Sequence, residues 1–233
     1  MRLFLNCLFF IVVTTAFSQE KTTSENAPKV KIDSLYREDQ FYFGVSYNTL
    51  RSTPQGFSKN KLSAGFTGGF LRDMPINKKR TIAVATGVGF TYNNYIQNIA
   101  ISGSDEVPVY TLLNGTVNYS KNKFSQFLVD VPIEFRWRTS TYESTKFWRI
   151  YSGFKCSYLV SDRSIFNTPA AHTKITGNKD FNRFLYGAYI SAGYNTINVY
   201  AYYGLNSIFK SGAVNGEILK MKPLNVGVIF YIL

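Results

Sequence analysis

The sequence predicts an all-β protein, an eight-stranded antiparallel transmembrane β-barrel of the outer-membrane type. Three observations predict it. From Gln40 onward, apolar residues alternate with small or polar ones at period two in eight segments. The apolar side of that alternation is too bulky for the interior of eight strands. The chain opens on an export-type segment, and after it no run of about eighteen apolar residues exists to make a helical span.

Arg2 supplies a positive start, an apolar stretch follows from Leu3 to Phe17, and Ala16-Phe17-Ser18 forms a small-x-small cleavage pattern before Gln19. Residues 1–18 therefore read as a signal peptide. A membrane anchor is the other reading, but the segment is short and lacks a basic stop-transfer flank. Cys7 would leave with it, so Cys156 would remain alone and no intramolecular disulfide could form. Residues 19–39 are polar and charged, as expected of a flexible periplasmic tail. Within them Asp33-Ser34-Leu35 resembles the short Asp-Ser/Thr-apolar O-glycosylation acceptor of Bacteroidota. Residues 40–233 form the expected barrel domain.

The eight segments are residues 41–49, 62–70, 81–92, 127–138, 148–160, 184–194, 197–206 and 224–232. The fourth is the clearest. Phe127, Val129, Val131, Ile133, Phe135 and Trp137 share one face, while Asp130, Glu134, Arg136 and Arg138 share the other with Leu128 and Pro132. A soluble ligand-binding barrel would alternate equally well, with its apolar face inward. Volume decides between them. The opposite faces, rich in Gly, Ala, Ser, Thr and Asn, fit a narrow lumen, so the bulky face must point outward into lipid. Phe70, Tyr92, Trp137, Trp148, Tyr158, Tyr194 and Phe230 near the strand ends suit interfacial girdles.

Connections agree. Gaps at 72–80, 139–146 and 195–196 are short, whereas those at 51–61, 93–125, 161–183 and 207–222 are long, as expected of periplasmic turns and outer loops. Stretches 95–102 and 107–119 alternate as well, so the second outer loop should project as a hairpin. Pro132 cannot donate to a ladder and predicts a local bulge or a missing bond facing the lumen.

The lumenal charges are the first candidate site. With the fourth turn centred near Tyr142, Asp130 should face Lys155, and Glu134 should fall near Arg149 or Arg136, with Arg138 close by. Isolated charges in so narrow a lumen are costly, so the expectation is a packed, salt-bridged plug rather than a pore. An enzymatic reading, as a lipid A-modifying outer-membrane barrel, would need the single histidine, His172, against Ser161 or Ser164 and Asp162. Nothing in a Gly- and Asn-rich loop fixes that geometry, and loop decoration is the simpler expectation. One histidine and one retained cysteine offer no metal cluster, and no cofactor is implied.

The net charge of +12 invites a nucleic-acid reading, but location argues against it. Outer loops hold Arg51, Lys61, Lys123, Arg183, Lys210 and Lys222 among other cations, and there they would meet lipopolysaccharide phosphates. The alternative is simple solubility of loops.

Leu128-Val129-Asp130-Val131-Pro132-Ile133 resembles the Leu-x-acid-aliphatic-Pro segment of the PorT-like outer-membrane β-barrel proteins of Bacteroidota. Gly87-Val88-Gly89-Phe90 and the aromatic C-terminal strand are similar to the same family, over roughly residues 40 to 233. The resemblance implies an outer-membrane, porin-like barrel, some of whose relatives serve type IX secretion and gliding. Asn225, Gly227, Phe230 and Ile232 resemble a barrel-assembly signal, with Leu233 trailing where an aromatic usually ends the chain. That implies contact with the barrel-assembly machinery. The expected function is a non-enzymatic membrane scaffold or surface- and partner-binding element in contact with outer-membrane lipid, with a small-solute porin and a lipid A-modifying enzyme as alternatives.

Overall fold

The computed structural model describes residues 37–59, 61–115, 117–141 and 146–232. The stretch expected as a signal peptide, most of the expected tail with Asp33-Ser34-Leu35, and the turn expected at Tyr142 lie outside the described residues. Among the described residues thirteen strands form: β1 (Gln40–Arg51), β2 (Ala64–Pro75), β3 (Ile82–Tyr95), β4 (Ile99–Gly103), β5 (Pro108–Leu112), β6 (Lys121–Arg138), β7 (Trp148–Asn167), β8 (His172–Thr176), β9 (Phe184–Tyr194), β10 (Ile197–Gly204), β11 (Ala213–Val214), β12 (Glu217–Ile218) and β13 (Lys222–Ile232).

Eight of them close a ring in the order β1-β2-β3-β6-β7-β9-β10-β13, every neighbour antiparallel, with β13 returning to β1. Closure leaves no edge with unpaired backbone groups, which lipid requires. The alternation in β6 is complete from Phe127 to Arg138, each odd residue exposed and each even residue buried. The exposed positions are large and apolar: Phe43, Phe66, Phe90, Val131, Phe135, Trp148, Ile190 and Val199. This is the inverted arrangement expected from the volume argument.

The lumen is filled differently from the expectation of mostly small residues. Tyr42, Tyr151, Tyr189, Tyr200, Tyr202 and Tyr231 pack there with Leu71, Ala85 and Ile229 as one buried cluster. Glycines on facing strands make the room. A Cβ on Gly89 would lie 2.0 Å from the Tyr42 hydroxyl, and one on Gly153 would lie 2.5 Å from the Tyr189 ring. Small and large residues thus interlock across the lumen.

Strand lengths depart from the expected segments at both ends of the barrel. β2 runs on to Pro75, so the alternation continues through Leu71, Arg72, Asp73 and Met74, and Asp73 points inward, fully buried. β7 extends to Asn167 and acquires β8 as an outer partner. The projecting hairpin of the second outer loop is β4 paired with β5. In the fourth outer loop β11 and β12 turn through Asn215 and Gly216, both at positive φ, as a two-residue type I′ hairpin requires.

Pro132 does interrupt a ladder. The β3–β6 register runs from Ile82–Trp137 to Thr86–Ile133 and resumes at Gly89–Asp130, so Pro132 and Val131 are skipped. The gap lies in the sheet plane toward β3, not toward the lumen, because backbone donors point along the sheet. The Thr86 hydroxyl donates to the Pro132 carbonyl at 3.0 Å. The bulge sits elsewhere: Phe127 pairs with Ser161 and Leu128 with Leu159, making Val160 the extra residue.

Candidate functional site

Three neighbouring groups of side chains occupy the axis of the barrel, stacked from its periplasmic mouth to its outer end. At the periplasmic mouth Arg138 grips Asp73 with two parallel bonds, Nη1 to Oδ1 at 2.9 Å and Nη2 to Oδ2 at 2.8 Å. Arg136 reaches the same Asp73 at 3.1 Å and donates its Nε to Glu134 at 2.9 Å. All four side chains are excluded from solvent. The chain ahead of β1 completes the closure. Arg136 Nη1 donates to the Glu38 carbonyl, the Glu38 amide donates to Asp73, and the Asp73 amide donates to Asp39, whose carboxylate also meets Arg72 at 3.2 Å. Glu38 and Asp39, assigned to the tail from sequence, are therefore built into the barrel's floor. Burial holds the Glu38 carboxyl above the ordinary glutamate range; Arg138 and Arg149 only partly offset that.

Mid-lumen, Tyr189 donates its hydroxyl to Glu134 Oε1 at 2.9 Å, and the Tyr231 hydroxyl lies 3.2 Å from the same oxygen. Asp130 takes Lys155 Nζ at 3.1 Å, the Ser157 hydroxyl at 2.6 Å and the Thr91 hydroxyl. Lys155 also lies 4.8 Å over the Tyr202 ring. The six lumenal residues singled out from sequence divide accordingly. Asp130 joins Lys155, and Glu134 joins Arg136 rather than Arg149. Arg138 takes Asp73. Arg149 makes no carboxylate contact among the described residues; it stacks 4.4 Å over Phe147, with the Tyr151 and Tyr231 rings 5.8 and 5.7 Å away. Asp73, the hub of the floor, was missed. Continued alternation beyond Phe70 was the signal that could have found it.

Two gaps in the lumen are each the size of a single water molecule. The one between Tyr42, Glu134, Lys155, Tyr189 and Tyr200 holds about 10 Å³, and so does the one between Thr91, Gln126, Leu128 and Tyr202.

The outer end carries a second apolar core made by the strand ends and the loops. Leu50, Tyr95, Ile99, Ile101, Tyr110, Phe124, Phe181, Ile208, Phe209, Leu219 and Met221 are buried together. Phe124 sits at its centre, fully buried, with ring centroids of Tyr95, Phe181 and Phe209 at 4.9, 5.6 and 6.1 Å. Asn98 ties the cap to the first loop, accepting from the Ser58 amide at 2.7 Å and donating to the carbonyls of Gly56 and Leu113. Asn178 does the same for the third loop, its amide donating to Asp162 and its side chain bonding Tyr110. The cap is a folded lid, and sequence reasoning, which treated these stretches as loops, did not predict its core.

The rim cations are not brought to one place. Arg51 pairs in register with Lys222, on the side of the ring opposite β7. Lys61, Arg183 and Lys210 are exposed at separate points of the rim. Lys123 alone stands among other cations, in an open groove with Lys121 and Arg163. The residues weighed as a triad do not assemble. His172 and Lys174 face outward on β8, opposite Asn167 and Ile165, whereas Asp162 and Ser164 face inward and are buried. Of the C-terminal residues, Asn225 donates to Asn93 at 3.2 Å, and a Cβ on Gly227 would lie 2.0 Å from the Val45 carbonyl. Phe230 and Ile232 lie on the outward face of β13 with Val226 and Val228.

Residues 17–210 match the family described as outer membrane protein beta-barrel domain. No curated protein matches the chain. Among solved structures, the chain is similar to Ail, the attachment invasion locus protein of Yersinia pestis. Identity is 11% with a TM-score of 0.38, over 84% of this chain and 99% of that one. A second structure of Ail, in complex with the heparin analogue sucrose octasulfate, aligns at 11% identity and a TM-score of 0.39, over 83% and 97%. With eight strands closed into a ring and the family matched over most of its length, the chain belongs to the outer membrane protein beta-barrel domain family and resides in the bacterial outer membrane.

Proposed function

We propose that the protein is a non-conducting, non-enzymatic surface element, whose sealed barrel anchors a folded binding cap in the outer membrane. The observation that carries this reading is the apolar core of the cap, centred on Phe124 and continuous across all four outer loops. Loops that merely needed to be soluble would gain nothing from burying Tyr95, Phe181 and Phe209 together. A buried core fixes the outer surface in one shape, which recognition needs and solubility does not. On that surface Val107, Val109 and Ile218 stand exposed. The side chains that fill the lumen support this reading over a small-solute porin, since solute passage needs an open path. His172 is exposed on β8, as Ser161 is on β7, whereas Asp162 and Ser164 are buried on the inward face, which supports the non-enzymatic reading over a lipid A-modifying triad.

In this reading the basic rim contacts phosphorylated outer-leaflet lipid, and the C-terminal strand is read by the barrel-assembly machinery during insertion. Residues 1–18 act as the signal peptide and 19–36 as the periplasmic tail. The Leu128 to Ile133 segment supports a place near the PorT-like branch.

Photo-crosslinking tests the binding role. A crosslinker placed at Val109 or Ile218 in native outer membranes should capture one discrete envelope or surface partner. The same probe at Ile76, in a periplasmic turn, should not. Equal, diffuse labelling from all three positions would contradict a recognition surface.

A further inference from the structure

The outer surface of the barrel changes character above Phe127. On β6 the outward residues run Phe127, Ser125, Lys123, Lys121, and on β7 they run Ser161, Arg163, Ile165. Ser125 pairs with Arg163 and Lys123 with Ile165, while Lys174 of β8 stands on the far side of Ile165. With Tyr92 and Phe127 as its floor, this patch forms an open groove of about 340 Å³. Its one acidic lining residue, Asp162, turns its carboxylate into the cap, where Oδ1 accepts the Asn178 amide. Among the described residues no ion pair engages Lys121, Lys123, Arg163 or Lys174.

The bulge makes this groove. In a regular β7 the residues after Val160 would keep their parity, and Arg163 would point into the cap. The extra residue leaves Val160 and Ser161 both exposed, shifts the parity, and delivers Arg163 to the outside beside Lys123. Height fixes what the groove can meet. Trp137 and Trp148 mark the periplasmic edge of the apolar band, and Phe127, Tyr158 and Phe184 its outer edge. The ten residue steps from Trp137 to Phe127, along a tilted strand, span about 25 Å, the height of the lipid-facing band. Lys123 lies roughly 10 Å above Phe127 by the same geometry, beyond the acyl chains and within reach of headgroup phosphates.

We propose that this groove docks the phosphate-bearing headgroup of an outer-leaflet glycolipid. Lys121, Lys123 and Arg163 are the phosphate ligands, and Phe127 and Tyr92 receive the first acyl carbons. An apolar floor continuous with the membrane band and a cationic wall directly above it match an amphiphile, and no soluble anion uses both. The inference rests on the lipid-contact part of the proposed function and narrows it to one face of the barrel.

The test uses the full-length protein in phosphatidylcholine nanodiscs doped with bisphosphorylated lipid A or its dephosphorylated form, with retained lipid counted by native mass spectrometry. Lys121→Gln/Lys123→Gln/Arg163→Gln is compared with Arg51→Gln/Lys210→Gln/Lys222→Gln, which removes equal charge elsewhere, and heat-modifiable gel migration confirms that both are folded. The wild type should retain the phosphorylated lipid, the groove variant should lose about tenfold, and the control should lose less than about twofold. Excess glucosamine 1-phosphate should not displace the lipid. Equal loss in both variants would overturn the groove while leaving general rim contact standing. No preference for the phosphorylated lipid in the wild type would overturn both. Displacement by the free sugar phosphate would overturn the lipid as occupant.

Discussion

Arg138 and Asp73, 65 residues apart in sequence, meet as a fully buried bidentate ion pair at the periplasmic mouth, with N–O distances of 2.9 and 2.8 Å. Asp73 also receives Arg136 and the Glu38 amide, so one carboxylate organises the floor of the barrel.

Asp73→Ala leaves two guanidinium groups in a low-dielectric site without their shared counter-ion. The expected loss is about 3–5 kcal/mol, characteristic of breaking one side of a buried pair. Urea unfolding of the barrel in detergent micelles measures it, and a loss within experimental scatter would contradict the hub role.

Gly89→Ala should be destabilising by about 1–3 kcal/mol, because its methyl would overlap the Tyr42 hydroxyl. Adding Tyr42→Phe should recover part of the loss, since the clashing oxygen is gone while the Gly68 carbonyl at 2.7 Å remains. Additive losses in the double variant would contradict the interlocking of small and large lumenal residues.

Phe124→Ala removes the centre of the cap and should cost about 3–5 kcal/mol of packing there. The membrane-embedded ring should be spared. Limited proteolysis ought to cleave the outer loops faster while heat-modifiable migration persists. Simultaneous loss of both would show that cap and barrel are one cooperative unit.

Glu38 supplies a pH dependence. Burial raises its folded-state pKa above the ordinary value of 4.5, so the stability tied to its protonated form is present below the unfolded value and is lost as pH rises through the folded one. Glu38→Gln removes that dependence. The wild type should therefore weaken relative to the variant as pH is raised from about 4.3, read as the difference in urea midpoints. A difference independent of pH would contradict it.

Period two and bulk made the ring legible, because a closed barrel repeats the same local rule in every strand. The charged face of β6 was legible for the same reason, down to Asp130 and Lys155, which meet at 3.1 Å. Asp73 was not, since Pro75 and the charges around it resemble a turn, and only the ring shows the alternation running on. Arg163 was legible as an outer-loop cation but not as a strand residue beside Lys123, because parity counted along β7 turns it inward until Val160 is known to be extra. The cap core was hidden for a third reason. Its members come from strand ends and four loops with no shared period, so nothing local announces that Tyr95, Phe181 and Phe209 meet.

Planar-bilayer recording of the purified, refolded full-length protein shows whether the lumen is sealed. With the Arg138–Asp73 floor, the tyrosine-packed middle and the folded cap in series, the membrane should stay silent, without stepwise conductance above the lipid baseline in molar salt. Reproducible ohmic steps of uniform size from the folded wild-type protein would contradict it.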